Sequence, residues 1–198
     1  MRKVLLFIAS ALLAGCAYTK IETQRLPAAN AQQPFNNLFV FSAGKQLGLV
    51  KEMEKALGEE FAARGVSVQM GTTHLPYDAT PDAVYAKASE LPVEGLLIIA
   101  EESMDVETSE TAGYWVAGTK DTPGYWVPAQ TTQTFKGLFS AQLYSTRVKG
   151  NFEKVWLAEI DSSASAYGGP REIFKDVGRK VVSKLAEDGM IVDNKPKK

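Results

Sequence analysis

Cysteine and histidine are almost missing from this chain of 198 residues, which holds one of each, Cys16 and His74. A single cysteine excludes an internal disulfide, and a single histidine excludes a multi-histidine metal site. A serine triad would have to take His74 as its base, yet no Gly-x-Ser-x-Gly elbow accompanies it. His74 stands in Thr72-Thr73-His74-Leu75-Pro76 and reads as a loop residue. Excess charge is missing too: 22 Lys+Arg oppose 23 Asp+Glu, which excludes the concentrated basic surface that nucleic acid requires. Ala43-Gly44-Lys45 superficially resembles a phosphate loop, but Phe39 stands where its first glycine belongs and Gln46 where Ser or Thr would hold magnesium. No cofactor or metal is implied.

What the chain does have begins at its N-terminus. Arg2 and Lys3 precede the apolar run Val4 to Leu13, which falls short of the roughly 20 residues a spanning helix needs. Small residues then lead into Cys16 through Leu13-Ala14-Gly15-Cys16. This resembles a bacterial lipoprotein signal with its lipobox; the alternative is an ordinary secretory leader with an incidental cysteine. The resemblance implies that residues 1–15 are removed and that Cys16 carries a diacylglyceryl group and an acyl chain, palmitate-like in length. A lipidated Cys16 leaves no thiol nucleophile. Two of the 22 Lys+Arg lie in the leader, leaving 20 against 23 acidic residues, so the mature chain carries a net charge of −3. Recruitment to anionic lipid by charge is therefore not expected, and the acyl chains do the anchoring. Ala17 after the cysteine, rather than Asp, fits sorting to the outer membrane, facing the periplasm.

Residues 16–33 read as the lipidated cysteine and a flexible tether, since Ala17 to Gln33 is polar and aperiodic. Residues 34–190 read as one domain, and 191–198 as a disordered basic tail. Within the domain, Asn37 to Ser42 predicts a buried strand. Leu47, Val50, Met53, Leu57 and Phe61 predict an amphipathic helix from Gln46 to Arg64, stopped by Gly65. Val66 to Met70 is a second strand, and Thr80 caps a helix opening with Pro81. Gly95 to Ala100 predicts a central strand buried on both faces. Phe135 to Tyr144 and Phe152 to Ser162 predict a hairpin around Lys149-Gly150-Asn151. Ile173, Phe174, Val177, Val181 and Leu185 line a last helix ending near Gly189 and folding back over the sheet. The predicted fold is α+β: one mixed, largely antiparallel sheet with amphipathic helices packed on it, plus a projecting aromatic β-hairpin.

The strand at Val155-Trp156 leading into a terminal amphipathic helix, with this element order from Asn37 to Met190, resembles a group of envelope domains. They are the amino-terminal domain of the Tol–Pal translocation protein, the curli secretion lipoprotein, the lipoprotein activators of penicillin-binding proteins, and DUF4136. The resemblance implies an envelope role and, through the ring-forming curli lipoprotein, a homo-oligomer. It carries over no functional residue.

Two constellations stand out. Gly113-Tyr114-Trp115-Val116 recurs as Gly124-Tyr125-Trp126-Val127. With Lys120 and Asp121 at the centre of the loop, Trp115 faces Trp126, Tyr114 faces Val127 and Val116 faces Tyr125. Such pairs explain the repeat as structure. They also describe an arm that offers Tyr114, Trp115, Tyr125 and Trp126 to a partner, a sugar face or a membrane surface, with Thr131, Thr132, Gln133 and Thr134 continuing it. Beside it, Glu101, Glu102, Asp105, Glu107 and Glu110 form an acidic run, read as a solvated loop or edge protection. The function expected is a non-enzymatic, lipid-anchored binding or scaffolding module acting on an envelope protein or cell-wall partner. The alternatives are an envelope glycan or peptide hydrolase using carboxylates within 101–107, and a carrier of a small hydrophobic ligand held between helices and sheet.

Overall fold

A computed structural model describes residues 17–120, 122–148 and 151–195. The leader, Cys16, Asp121 of the expected loop centre, Lys149 and Gly150 of the expected turn, and 196–198 of the expected tail lie outside the described residues. Among the described residues the strands are β1 (Tyr18–Arg25), β2 (Asn37–Ala43), β3 (Ser67–Met70), β4 (Gly95–Thr111), β5 (Tyr114–Val116), β6 (Tyr125–Val127), β7 (Gln130–Ser145) and β8 (Glu153–Ser165). The helices are α1 (Leu47–Ala63), α2 (Pro81–Glu90) and α3 (Gly169–Glu187). Six strands form one sheet in the order β1-β8-β7-β4-β2-β3, and β5 pairs with β6 separately. β2 runs parallel to β3 and β4, and the remaining pairs are antiparallel. The expected α+β fold with a mixed sheet, amphipathic helices and an aromatic hairpin is what the chain forms.

The helices follow from apolar spacing and their caps. In α1, Val50, Met53, Ala56, Leu57 and Phe61 are buried, and Gly65, at φ +78°, takes the left-handed position that ends it. Thr80 Oγ1 accepts from the Ala83 N–H at the start of α2, and Pro81 opens that helix. α3 buries Ile173, Phe174, Val177, Val181, Val182 and Leu185. It lies against α1 so closely that a Cβ on Gly178 would meet the Met53 carbonyl oxygen at 3.1 Å. Successive β2 residues go to opposite faces. Leu38 and Val40 join the core under α1 and α3, while Phe39 and Phe41 pack with Val84 and Ala88 of α2 on the other face. The body of the sheet is therefore covered on both sides at its β2–β4 end.

Three segments depart from expectation. The tether read over 16–33 is a structural element from residue 18 onward. β1 pairs with β8 over its whole length, from Tyr18↔Ser163 to Arg25↔Trp156, and Pro27–Ala31 forms a 3-10 turn with Ala29 buried. Only Ile21 in β1 is aliphatic, so the strand shows little hydrophobic alternation. It is held instead by the ladder and by polar contacts such as Thr19 Oγ1 to Ser162 Oγ at 2.7 Å. The tail read over 191–198 begins as packed chain: Ile191 is buried and bridges to Phe35. Asp193 lies 3.7 Å from the Arg64 guanidinium, and Lys195 lies 3.1 Å from the Glu60 carboxylate. The acidic run at 101–110, finally, is strand, because β4 continues to Thr111, which removes the solvated-loop alternative and leaves edge protection.

Candidate functional site

The extension of β4 and β7 builds an arm. β2 accompanies β4 only as far as Ala100, and β8 accompanies β7 only as far as Thr134. Beyond those points Ser109–Thr111 and Gln130–Thr132 pair with each other alone. A register shift between Glu101 and Ser103 falls just past the end of the pairing with β2, and such bulges add twist. Past Thr111 the chain continues into β5 and β6, paired Tyr114↔Val127, Trp115↔Trp126 and Val116↔Tyr125, the register expected. Thr119 and Thr122 close the tip with reciprocal backbone hydrogen bonds of 2.8 and 3.3 Å.

The repeated tetrapeptide has a geometric cause. Trp115 and Trp126 are directly opposed, so both lie on one face of the hairpin, and Tyr114 and Tyr125 lie on the other. Each indole lies over the other strand's glycine. A Cβ on Gly113 would stand 2.6 Å from Trp126 Cζ2, and one on Gly124 would stand 2.8 Å from Trp115 Cζ2. Any larger residue there would displace the ring. Packing within the hairpin does not hide the aromatics, which remain 55% (Tyr114), 61% (Trp115), 60% (Tyr125) and 57% (Trp126) exposed. No charged residue occurs within β5 or β6.

The acidic residues are dispersed. Glu101 accepts from the Lys45 N–H at 3.0 Å, on the loop before α1. Glu102 instead accepts from Ser140 Oγ at 2.6 Å, beside the groove on the sheet's open face. Glu107 pairs with Lys136 at 2.7 Å, which raises the Lys136 pKa above its ordinary value. Asp105 and Glu110 are exposed along the arm. Glu101, Glu102 and Glu107 thus have separate partners. Among the described residues no group of three or more His, Cys, Asp and Glu side chains is placed to hold a metal ion.

The groove has a volume of about 450 Å³ and runs over β1, β8 and β7, between Lys20, Glu22, Glu102, Glu159, Asp161 and the half-exposed Leu138. It lies on the uncovered face of the sheet, away from the helix–sheet interior in which the ligand-carrier alternative places an apolar ligand; that interior is filled by Phe139, Phe174 and Trp156. The sequence gives no sign of this lining, because β1 carries little hydrophobic alternation and becomes a strand only by pairing with β8. His74 sits edge-on to Phe39 at 5.9 Å, in the loop before α2.

No protein-family model matches the chain, and no curated protein matches it either. Solved structures do. A PelC dodecamer from Paraburkholderia phytofirmans matches at 13% identity over 88% of this chain and 99% of that one, with a TM-score of 0.44. Lipoprotein GNA1162 from Neisseria meningitidis matches at 11% over 76% and 98%, with a TM-score of 0.43. A DUF4136 family protein from Bacteroides thetaiotaomicron matches at 10% over 89% and 97%, with a TM-score of 0.37. No residue role of those proteins is carried to this chain.

Proposed function

We propose that this protein is a lipid-anchored component of a bacterial cell envelope, held through Cys16 at the outer membrane and facing the periplasm. There it acts as a non-enzymatic binding and assembly module. The aromatic arm is its contact element. One observation carries this reading: four large aromatic side chains stand more than half exposed at the end of a ribbon that projects past every neighbouring strand. Tyr and Trp give large contact area at little conformational cost. An anchor raises the effective concentration of such a tip toward whatever shares its membrane.

Two measurements test this. Cys16→Ser should move the chain out of the membrane fraction; unchanged fractionation overturns the anchor. A photo-crosslinking residue at position 115 or 126 should capture an envelope component in living cells. The same residue at the exposed Asp82 on α2 should not, and identical capture from both places would remove the arm's role.

A further inference from the structure

We infer that the aromatic tip seats in the surface of the same bilayer that holds the N-terminus, so that the protein touches its membrane at two points. The inference deepens the anchored reading above and rests on it.

Register supplies the geometry. Tyr18 pairs with Ser163, Ser163 with Lys136, and Lys136 with Asp105. This row crosses the sheet at the end from which the arm departs. β1 enters the sheet there, at Tyr18, and Cys16 is two residues earlier in the sequence. Two residues reach at most about 7 Å, so acylation would hold this end of the sheet close to the lipid. Trp115 lies ten positions beyond Asp105 along the ribbon, about 33 Å at strand rise. The arm does not stand upright in the bilayer, because Glu107, Glu110, the Thr and Gln side chains and two unpaired strand edges would then enter hydrocarbon. It lies along the surface, with only the tip at headgroup depth.

The chemistry of the tip agrees. Trp and Tyr are the residues that settle at membrane–water interfaces, where an apolar ring and a polar N–H or O–H are both accommodated. Here they occupy both faces of a thin ribbon, the two Trp on one and the two Tyr with their Val neighbours on the other. A bilayer interface surrounds both faces at once. Charge gives no pull, since the mature chain is net acidic, so the attachment is insensitive to salt.

The test uses the mature acylated chain floated on vesicles of phosphatidylethanolamine with a minority of phosphatidylglycerol. Tryptophan emission is read against phospholipid brominated high on its acyl chains and against aqueous iodide. Trp156 is fully buried, and a Trp115→Tyr, Trp126→Tyr chain supplies its background signal. On vesicles the wild-type emission should shift to shorter wavelength, lose iodide access and be quenched by brominated lipid at low and high salt alike, with none of this in the variant. Amide exchange across Tyr114–Val116 and Tyr125–Val127 should slow in parallel. A floating protein whose tip stays iodide-quenchable and exchanges as in water overturns the inference and leaves the anchored reading standing. A chain that does not float overturns both.

Discussion

Strand β4 passes through two environments, and comparing them separates what holds this protein together from what it presents. From Gly95 to Ala100 the strand lies between β2 and β7, with Leu96, Leu97 and Ile99 shut off from solvent. From Glu107 to Thr111 it has β7 alone for company, and every side chain is exposed. The ladder with β7 runs through both stretches, interrupted only at the bulge, so hydrogen bonding is not what distinguishes them. Burial is. A large apolar side chain withdrawn from water contributes about 1.5–3 kcal/mol, while a cross-strand pair on an open ribbon contributes roughly 0.2–1 kcal/mol. The body can therefore be broken by single substitutions that the arm would tolerate.

The largest effect is expected at Trp156, which the body buries completely and whose indole N–H donates to Asp188 Oδ2 at 2.7 Å. Trp156→Ala should lower unfolding free energy by about 3–5 kcal/mol, read by denaturant titration, and it also leaves the Asp188 carboxylate without its donor. Next comes Gly178, where α1 and α3 touch. Gly178→Leu would drive a side chain into the Met53 carbonyl and into Ala56 and Leu57. Overpacking of this kind should cost about 1–3 kcal/mol, and a variant as stable as the wild type would show that the two helices slide apart freely.

A smaller effect depends on pH. Glu54 is buried on α1 and accepts from both the N–H and the hydroxyl of Thr72. Burial holds its pKa above the ordinary value of 4.5, against the opposing pull of the Thr72 hydrogen bonds. The folded chain thus keeps this proton more tightly than the unfolded one. Its contribution to stability is full below the unfolded pKa and is lost as pH rises through the folded pKa. Glu54→Gln should flatten that slope, so that the variant gains on the wild type as pH climbs from 4.5 toward neutrality. Parallel stability curves for the two would remove Glu54 as the source.

The same contrast between body and arm explains what could be read from the chain alone. Body elements write themselves in apolar spacing: the run from Val50 to Phe61, the cluster from Ile173 to Leu185 and the block at Gly95–Ala100 all map onto α1, α3 and the buried start of β4. The tip was legible as well, because a repeated Gly-Tyr-Trp-Val leaves one natural register. What escaped was polar strand. β1 and the outer half of β4 bury little, so no hydrophobic period announces them, and only tertiary pairing with β8 and β7 makes them strands. With β1 unmarked by any hydrophobic period, neither the groove nor the entry of β1 at the arm's end of the sheet can be read from the sequence.

The smallest effect on stability is expected where the aromatic surface is largest. Trp115→Ala with Trp126→Ala removes two indoles that are already more than half in water and that rest mainly on each other's glycines. Their loss can cost at most about the 0.2–1 kcal/mol of a cross-strand pair. The hairpin can also open without disturbing the six-stranded sheet, so global unfolding need not register even that. Denaturant midpoints for the double variant and the wild type should coincide, while amide exchange at Tyr114–Val116 and Tyr125–Val127 speeds up. A midpoint shift approaching that of Trp156→Ala would mean that the tip is part of the core after all, and the division between a body that folds and an arm that reaches would have to be abandoned.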